Sequence, residues 1–194
     1  MNHDAYPDSY IREILNGVKT IAMVGASPLN VRPSYFAFKY LAERGYDMIP
    51  VNPGHVGKGL LGKPFVASLR DVGRSIDMVD IFRSTAHVMP LVDEALMMSP
   101  LPKVIWMQLG ARNDEAAAKA EAAGLKVVMN RCPKIEYGRL SAEISWMGVN
   151  SRTLSSKRAP MPTQGMRLSL NRSSLGGGET NAADRAARHK NDPV

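Results

Sequence analysis

Cysteine is nearly absent from this sequence: Cys132 stands alone among 194 residues. That excludes an internal disulfide framework and leads us to expect a reducing, cytoplasmic setting. Histidine is also sparse, and the four His residues with one Cys form no metal-ligand spacing. No apolar run approaches the length needed to cross a bilayer. The opening Met1-Asn2-His3-Asp4 has neither the basic start nor the apolar stretch of a secretory leader. The expectation is a soluble chain with no membrane partner. Aromatics are scarce at 6%, but apolar residues at 44% place the chain in the globular class, with enough length for one ordinary domain.

Acid is in deficit, but unevenly. The net charge is +7, yet residues 1–150 hold 17 Lys/Arg against 15 Asp/Glu, a balance of only +2. Residues 151–194 hold 8 against 3, a balance of +5. The basicity therefore belongs mostly to the C-terminal stretch, and a basic nucleic-acid-binding face on the main domain is not expected. From about residue 155 apolar patterning disappears into Ser, Gly, Pro and scattered charge. Such a composition cannot bury enough surface to offset the entropy of ordering. Residues 155–194 therefore read as a basic, disordered tail, with a weak helix at most over 182–189, and 1–154 as the domain.

Within that domain, four dense apolar runs have the character of strands buried on both faces: TIAMVGA (20–26), MIPV (48–51), IDMVDIF (76–82) and VIWMQL (104–109). A fifth, KVVM (126–129), follows Gly124. Helix-like segments alternate with them at 34–44, 86–98 and 113–123, and a leading helix is expected at 8–16. The second of these classes ends at glycine where a C′ residue belongs, as at Gly45 and Gly124. Strand–helix alternation with short connections predicts an α/β fold, a doubly wound, mostly parallel five-stranded sheet of Rossmann type covered on both faces. The glycine-rich stretch 54–65 reads as a loop, either a ligand-contacting one or a mobile connector, leading to a helical turn at 68–72.

In such a fold ligands lie beyond the carboxyl ends of the strands. The first of these ends has one glycine, Gly25, where a dinucleotide fingerprint has three. Gly25 and Ala26 allow close backbone approach, Ser27 and Asn30 supply short polar side chains, and Pro33 and Ser34 open a helix. With Arg32 beside it, that turn is either an anion site or an ordinary strand-to-helix junction. The second end, Val51-Asn52-Pro53, lacks the Asp or Glu that would hold the ribose of NAD; Asp47 stands at the opposite end of the strand. Asn52 and Pro53 suit the flank of an adenine, and Lys58 and Lys63 follow as candidates for a ribose 3′-phosphate.

The motifs VGAS, PVNP, VDIFR, IWMQLG and MNRCPKIEYGRL, in this order, resemble the small stand-alone CoA-binding domain proteins. The same module forms the N-terminal part of the succinyl-CoA synthetase α-subunit. The resemblance covers about residues 8–158, including SWMGVNSRTLSSKR, and not the tail. It implies a CoA or acyl-CoA site, with the ADP moiety on the 25–34 turn, adenine near 51–53 and the pantetheine arm passing strands three and four. It also implies a binding or regulatory module without the synthetase's phosphohistidine chemistry. A small enzyme acting on an acyl-CoA and an NAD(P) sensor are the alternatives. A homo-oligomer or a protein partner is compatible with all three.

The remaining strand ends fit into that frame. Phe82 offers an aromatic wall, and Arg83 either a phosphate contact or an ion pair with Asp80 or Glu94. His87 is either an acid–base group or a solvated, capping histidine. Gln108 and Gly110 suit close passage of the pantetheine. Cys132 is either a buried, inert thiol or, with Arg131 favouring the thiolate, a group able to form a mixed disulfide with CoA. Arg131, Glu136 and Tyr137 alternatively lock a C-terminal helix against the strand ends.

Overall fold

Apolar runs punctuated by glycine fold into the expected alternation in the computed structural model, which describes residues 2–141. Helix α1 (Asp8–Gly17) precedes β1 (Thr20–Val24), and α2 (Pro33–Glu43) leads to β2 (Asp47–Val51). After β3 (Met78–Ile81), a 3₁₀ turn at Thr85–His87 runs into α3 (Val88–Leu96). Strand β4 (Val104–Met107), α4 (Asp114–Ala122), β5 (Lys126–Val128) and α5 (Pro133–Leu140) complete the described chain. The expected tail, the helix at 182–189 and the segment SWMGVNSRTLSSKR lie outside the described residues.

The five strands form one parallel sheet in the order β2-β1-β3-β4-β5. Although the strands are buried except at the first residues Thr20, Asp47 and Lys126, their residues sort by parity between two apolar layers. Ala22, Val24, Val79, Ile81, Ile105 and Met107 pack under α3 and α4, whose Val92, Ala95, Ala116 and Ala120 close that layer. Ile21, Met23, Met78 and Trp106 face α1, α2 and α5, meeting Ile11, Ile14, Phe38 and Leu41. Asp80 shares this second face, opposite Met23 and Trp106 in register. Because β2 and β3 flank β1 on opposite sides, the chain reverses direction across the sheet there. The crevice at that reversal, at the carboxyl ends of β1 and β3, is where such folds place ligands.

The glycine-rich stretch after β2 is more structured than its composition predicts. It opens with a 3₁₀ turn, Pro53–His55, then forms a two-stranded antiparallel ribbon, Gly59–Leu60 with Lys63–Pro64. Leu61 and Gly62 at its tip both have positive φ, 49° and 78°. Leu60 and Phe65 are buried, so the ribbon is anchored to the core and is no free connector. Its position also corrects the reading of Lys63. That ammonium sits 3.1 Å from Asp47 at the amino end of β2, with Arg74 on the other carboxylate oxygen. Lys63 is thus held at the end of the strand away from the proposed phosphate.

Candidate functional site

Gly25 ends β1 with φ +86° and donates its N–H to the carbonyl of Val51 at 2.8 Å. The N–H of Phe82 reaches the carbonyl of Val24 at 2.8 Å, tying the end of β3 to the same turn. A Cβ at Gly25 would collide with the Phe82 carbonyl oxygen and touch the Arg83 side chain. Only glycine lets these two strand ends close on one another. Asn52 adds the third tie. Its amide donates to the Ala26 carbonyl at 2.8 Å, while its oxygen accepts from the Gly54 N–H at 3.1 Å and from Arg83 Nη2 at 3.5 Å. Asn52 therefore staples three loops together in addition to facing the cavity.

These ties shape a cavity of about 450 Å³ at the sheet's reversal point. Gly25, Ser27, Leu29, Pro33, Ser34, Asn52 and Phe82 line it. Its charge comes from Arg32 and Arg83, His55 lies beside them, and no carboxylate lines it. Arg32 is exposed and has no ion-pair partner among the described residues. Cationic groups without counter-charge in a polar recess attract a phosphorylated ligand. The helix start contributes less than expected: Pro33 lacks an N–H, and the amides of Tyr35 and Phe36 turn back onto the Arg32 carbonyl at 3.0 and 3.4 Å.

Sequence reasoning missed His55. It packs edge-on against Phe65, ring centroids 5.4 Å apart, and its buried Nδ1 has no hydrogen-bond partner. Only its place in the 3₁₀ turn after Asn52 brings it to the cavity, and no sequence signal separates it from other loop histidines.

Arg83 pairs with neither acid considered for it. Asp80 is buried against Gln108, and Glu94 caps the turn at Leu69 and Arg70 by accepting their N–H groups at 2.9 and 3.3 Å. Several other expected contacts stand outside the lining. Ala26 and Val51 are buried and act through their carbonyls. Pro53 starts the 3₁₀ turn; Asn30 and Lys58 are exposed beyond the cavity edge. His87, also exposed, is 2.9 Å from Ser84 Oγ through Nδ1, and its side chain makes no cap hydrogen bond to α3. Gly110, at φ +81°, donates its N–H to Asn130 Oδ1 at 2.8 Å.

Gln108 and Cys132 need correction. The Gln108 amide is committed to Asp80, donating to Oδ1 at 2.8 Å in the core. Burial pushes the fully enclosed Asp80 carboxyl up to about 7, against which the Gln108 bond works. Cys132 does not have the lowered pKa that a neighbouring arginine suggested. Burial pushes its thiol up to about 11, and Arg131 points elsewhere, toward the Tyr6 ring and Glu136. Glu136 is itself held by Arg139 at 2.8 Å, and Tyr137 packs edge-on against Tyr40 and Tyr46, so α5 is locked in place. Among the described residues no group of His, Cys, Asp and Glu could hold a metal ion, and no helix is long and apolar enough to cross a membrane.

Comparison with known proteins agrees with this architecture. A family model described as CoA binding domain matches residues 19–138, which contain the whole sheet and the cavity. The uncharacterized protein YneT of Bacillus subtilis is 36% identical over 127 residues, covering 66% of this chain and 91% of YneT. A hypothetical protein from Pyrococcus horikoshii superposes with a TM-score of 0.67 at 40% identity, covering 73% of this chain and 96% of its own. A Thermus thermophilus protein, cell-free ID.343, gives a TM-score of 0.65 at 37% identity, with 70% and 99% covered.

Proposed function

The chain belongs to the CoA-binding domain family, and from that premise we propose that it binds CoA or an acyl-CoA as a binding or regulatory module without catalytic machinery of its own. The observation that carries this reading is the acid-free cavity at the ends of β1, β2 and β3, where Arg32, Arg83 and His55 converge. The ADP moiety of CoA occupies it, its phosphates over Gly25 and Ser27 and beside Arg32. The adenine lies against Asn52. The pantetheine arm leaves past Phe82 toward the ends of β3 and β4.

The missing acid after β2 supports CoA over NAD, since nothing at Asn52 can accept from both ribose hydroxyls as a carboxylate does. The lone, buried cysteine supports a cytoplasmic setting. Thermal-shift and calorimetric titrations with CoA, acetyl-CoA, dephospho-CoA, NAD and NADP test the reading. Stabilisation by CoA compounds well above that by NAD or NADP is expected. A larger shift with NAD, or none with any CoA compound, would overturn it.

A further inference from the structure

Large apolar side chains left in water are few on this protein, and they are not scattered. Seven are exposed among the described residues, and four of these, Leu29, Val31, Phe36 and Val56, stand on the two segments that frame the cavity. Val31 is 76% exposed, and Leu29, which also lines the cavity, 54%. A single exposed apolar residue needs no explanation. A group of them around a binding recess marks a surface that a ligand or partner covers.

Local hydrogen bonds place this apolar rim. The Arg32 N–H donates to the Leu29 carbonyl at 3.0 Å, so residues 29–32 form one tight turn that holds Val31 beside the cavity's arginine. The Phe36 N–H donates to the Arg32 carbonyl at 3.4 Å, which sets Phe36 one helical turn further out. Phe36 there meets α5: the Lys134 ammonium, in the first turn of that helix, lies 6.0 Å from its ring centroid. Helix α5 reaches this place because the chain after β5 returns over β4, where the Arg131 N–H bonds the Met107 carbonyl at 3.3 Å. Phe82 packs against the same apolar layer that α2 and α5 cover. A ligand arm leaving the cavity past Phe82 toward the ends of β3 and β4 therefore runs by the starts of α2 and α5, where Phe36 lies.

Charge decides what covers the rim. Neither 25–36 nor 52–58 contains an acid, while Arg32 adjoins Val31, Lys58 is two residues from Val56 and Lys134 lies against Phe36. A second copy of the chain, set on this face about a two-fold axis, would bring like charges together. The complementary ligand instead carries anionic groups for the recess and a hydrocarbon chain for the rim. We propose that the ligand is an acyl-CoA of medium or longer chain, its phosphates in the cavity and its alkyl chain over Val31 and Phe36. The proposal rests on the CoA reading above. Free CoA and acetyl-CoA leave the rim in water, so affinity should climb with each methylene until the rim is covered.

The test titrates the full chain calorimetrically with CoA and with acetyl-, butyryl-, hexanoyl- and octanoyl-CoA, each below its micellar concentration. Octanoyl-CoA should bind about tenfold or more tighter than acetyl-CoA. Val31→Ser combined with Phe36→Ser should remove most of that difference and leave the affinity for CoA unchanged. Val31→Ser alone, at a site that is 76% exposed, should remove part of it even if the Phe36 change disturbs α2. Octanoate by itself should not bind, having no phosphates for the cavity; octanoate that competes with octanoyl-CoA on equal terms refutes the proposal. CoA compounds that bind equally at every chain length overturn it and leave the CoA reading standing. A chain-length effect that survives in the double variant does the same. Light scattering tests the other occupant: a wild-type dimer that the two serines dissociate makes the rim a contact between copies and overturns the proposal. No binding by any CoA compound removes both readings.

Discussion

The carbonyl oxygen of Phe82 occupies the space where a side chain on Gly25 would begin. Two strands that are distant in sequence thereby meet at one backbone crossing, and the cavity depends on it. Gly25→Ala must both adopt a positive φ and push a carbonyl aside. It should destabilise the fold by more than the roughly 1–2 kcal/mol of left-handed strain alone and abolish CoA binding. Gly110 has a similar φ of +81° but open space around its Cβ direction. Gly110→Ala should therefore show only the strain, and urea midpoints of the two variants make the comparison.

Arg32, at the start of α2, lines the cavity, and no acid among the described residues pairs with it. Arg32→Ala should weaken CoA binding by about 1–3 kcal/mol, the usual range for a charge-assisted hydrogen bond. The loss should be larger at low salt, where screening is weaker. Arg83→Ala should behave similarly, with a small added cost from its contact to Asn52. Calorimetry at two ionic strengths would show it; unchanged affinity in both variants removes the arginines from the site.

Asp80 makes stability fall as pH rises. Its folded pKa is raised to about 7 from an ordinary 3.8, so between those values the folded state holds a proton that the unfolded state has released. Stability from this group is complete below the lower value and is lost as pH climbs through the upper one. Asp80→Asn should be more stable than wild type at about pH 8 and gain nothing at about pH 4, as melting temperatures across that range would reveal. Asp47 has the opposite sign. Arg74 and Lys63 hold it down at about 2, so its contribution is lost on acidification; the site is well exposed and the effect small.

Cys132, with its thiol pushed up to about 11 by burial, should resist iodoacetamide in the native protein at neutral pH. In urea it should react at the rate of an ordinary thiol. Rapid native alkylation would show that the thiol is neither buried nor protonated as the structure has it.

The element order was readable because each strand is a dense apolar run and each helix ends at punctuation, as at Gly45 and Gly124. The ribbon at Gly59–Leu60 and Lys63–Pro64 was not, since its pairing depends on burying Leu60 and Phe65 rather than on local alternation. The cavity was half legible. Gly25, Ser27, Arg32, Pro33, Ser34, Asn52, Phe82 and Arg83 converge there. His55 went unnoticed, while Asn30, Lys58, His87 and Gly110 lie outside the lining.

The sequence by itself determined the alternation of strands and helices, the single glycine of the first turn and the lack of an acid after β2. These follow from local periodicity, backbone sterics and residue identity. Only the tertiary structure decided that β3 lies beside β1, drawing Arg83 to Asn52 and Phe82 onto Gly25. It also took Lys63 away to Asp47 and sealed Asp80 in the core against Gln108. Those outcomes depend on which strands pair and on how far each group is removed from water, and neither is set by neighbours along the chain.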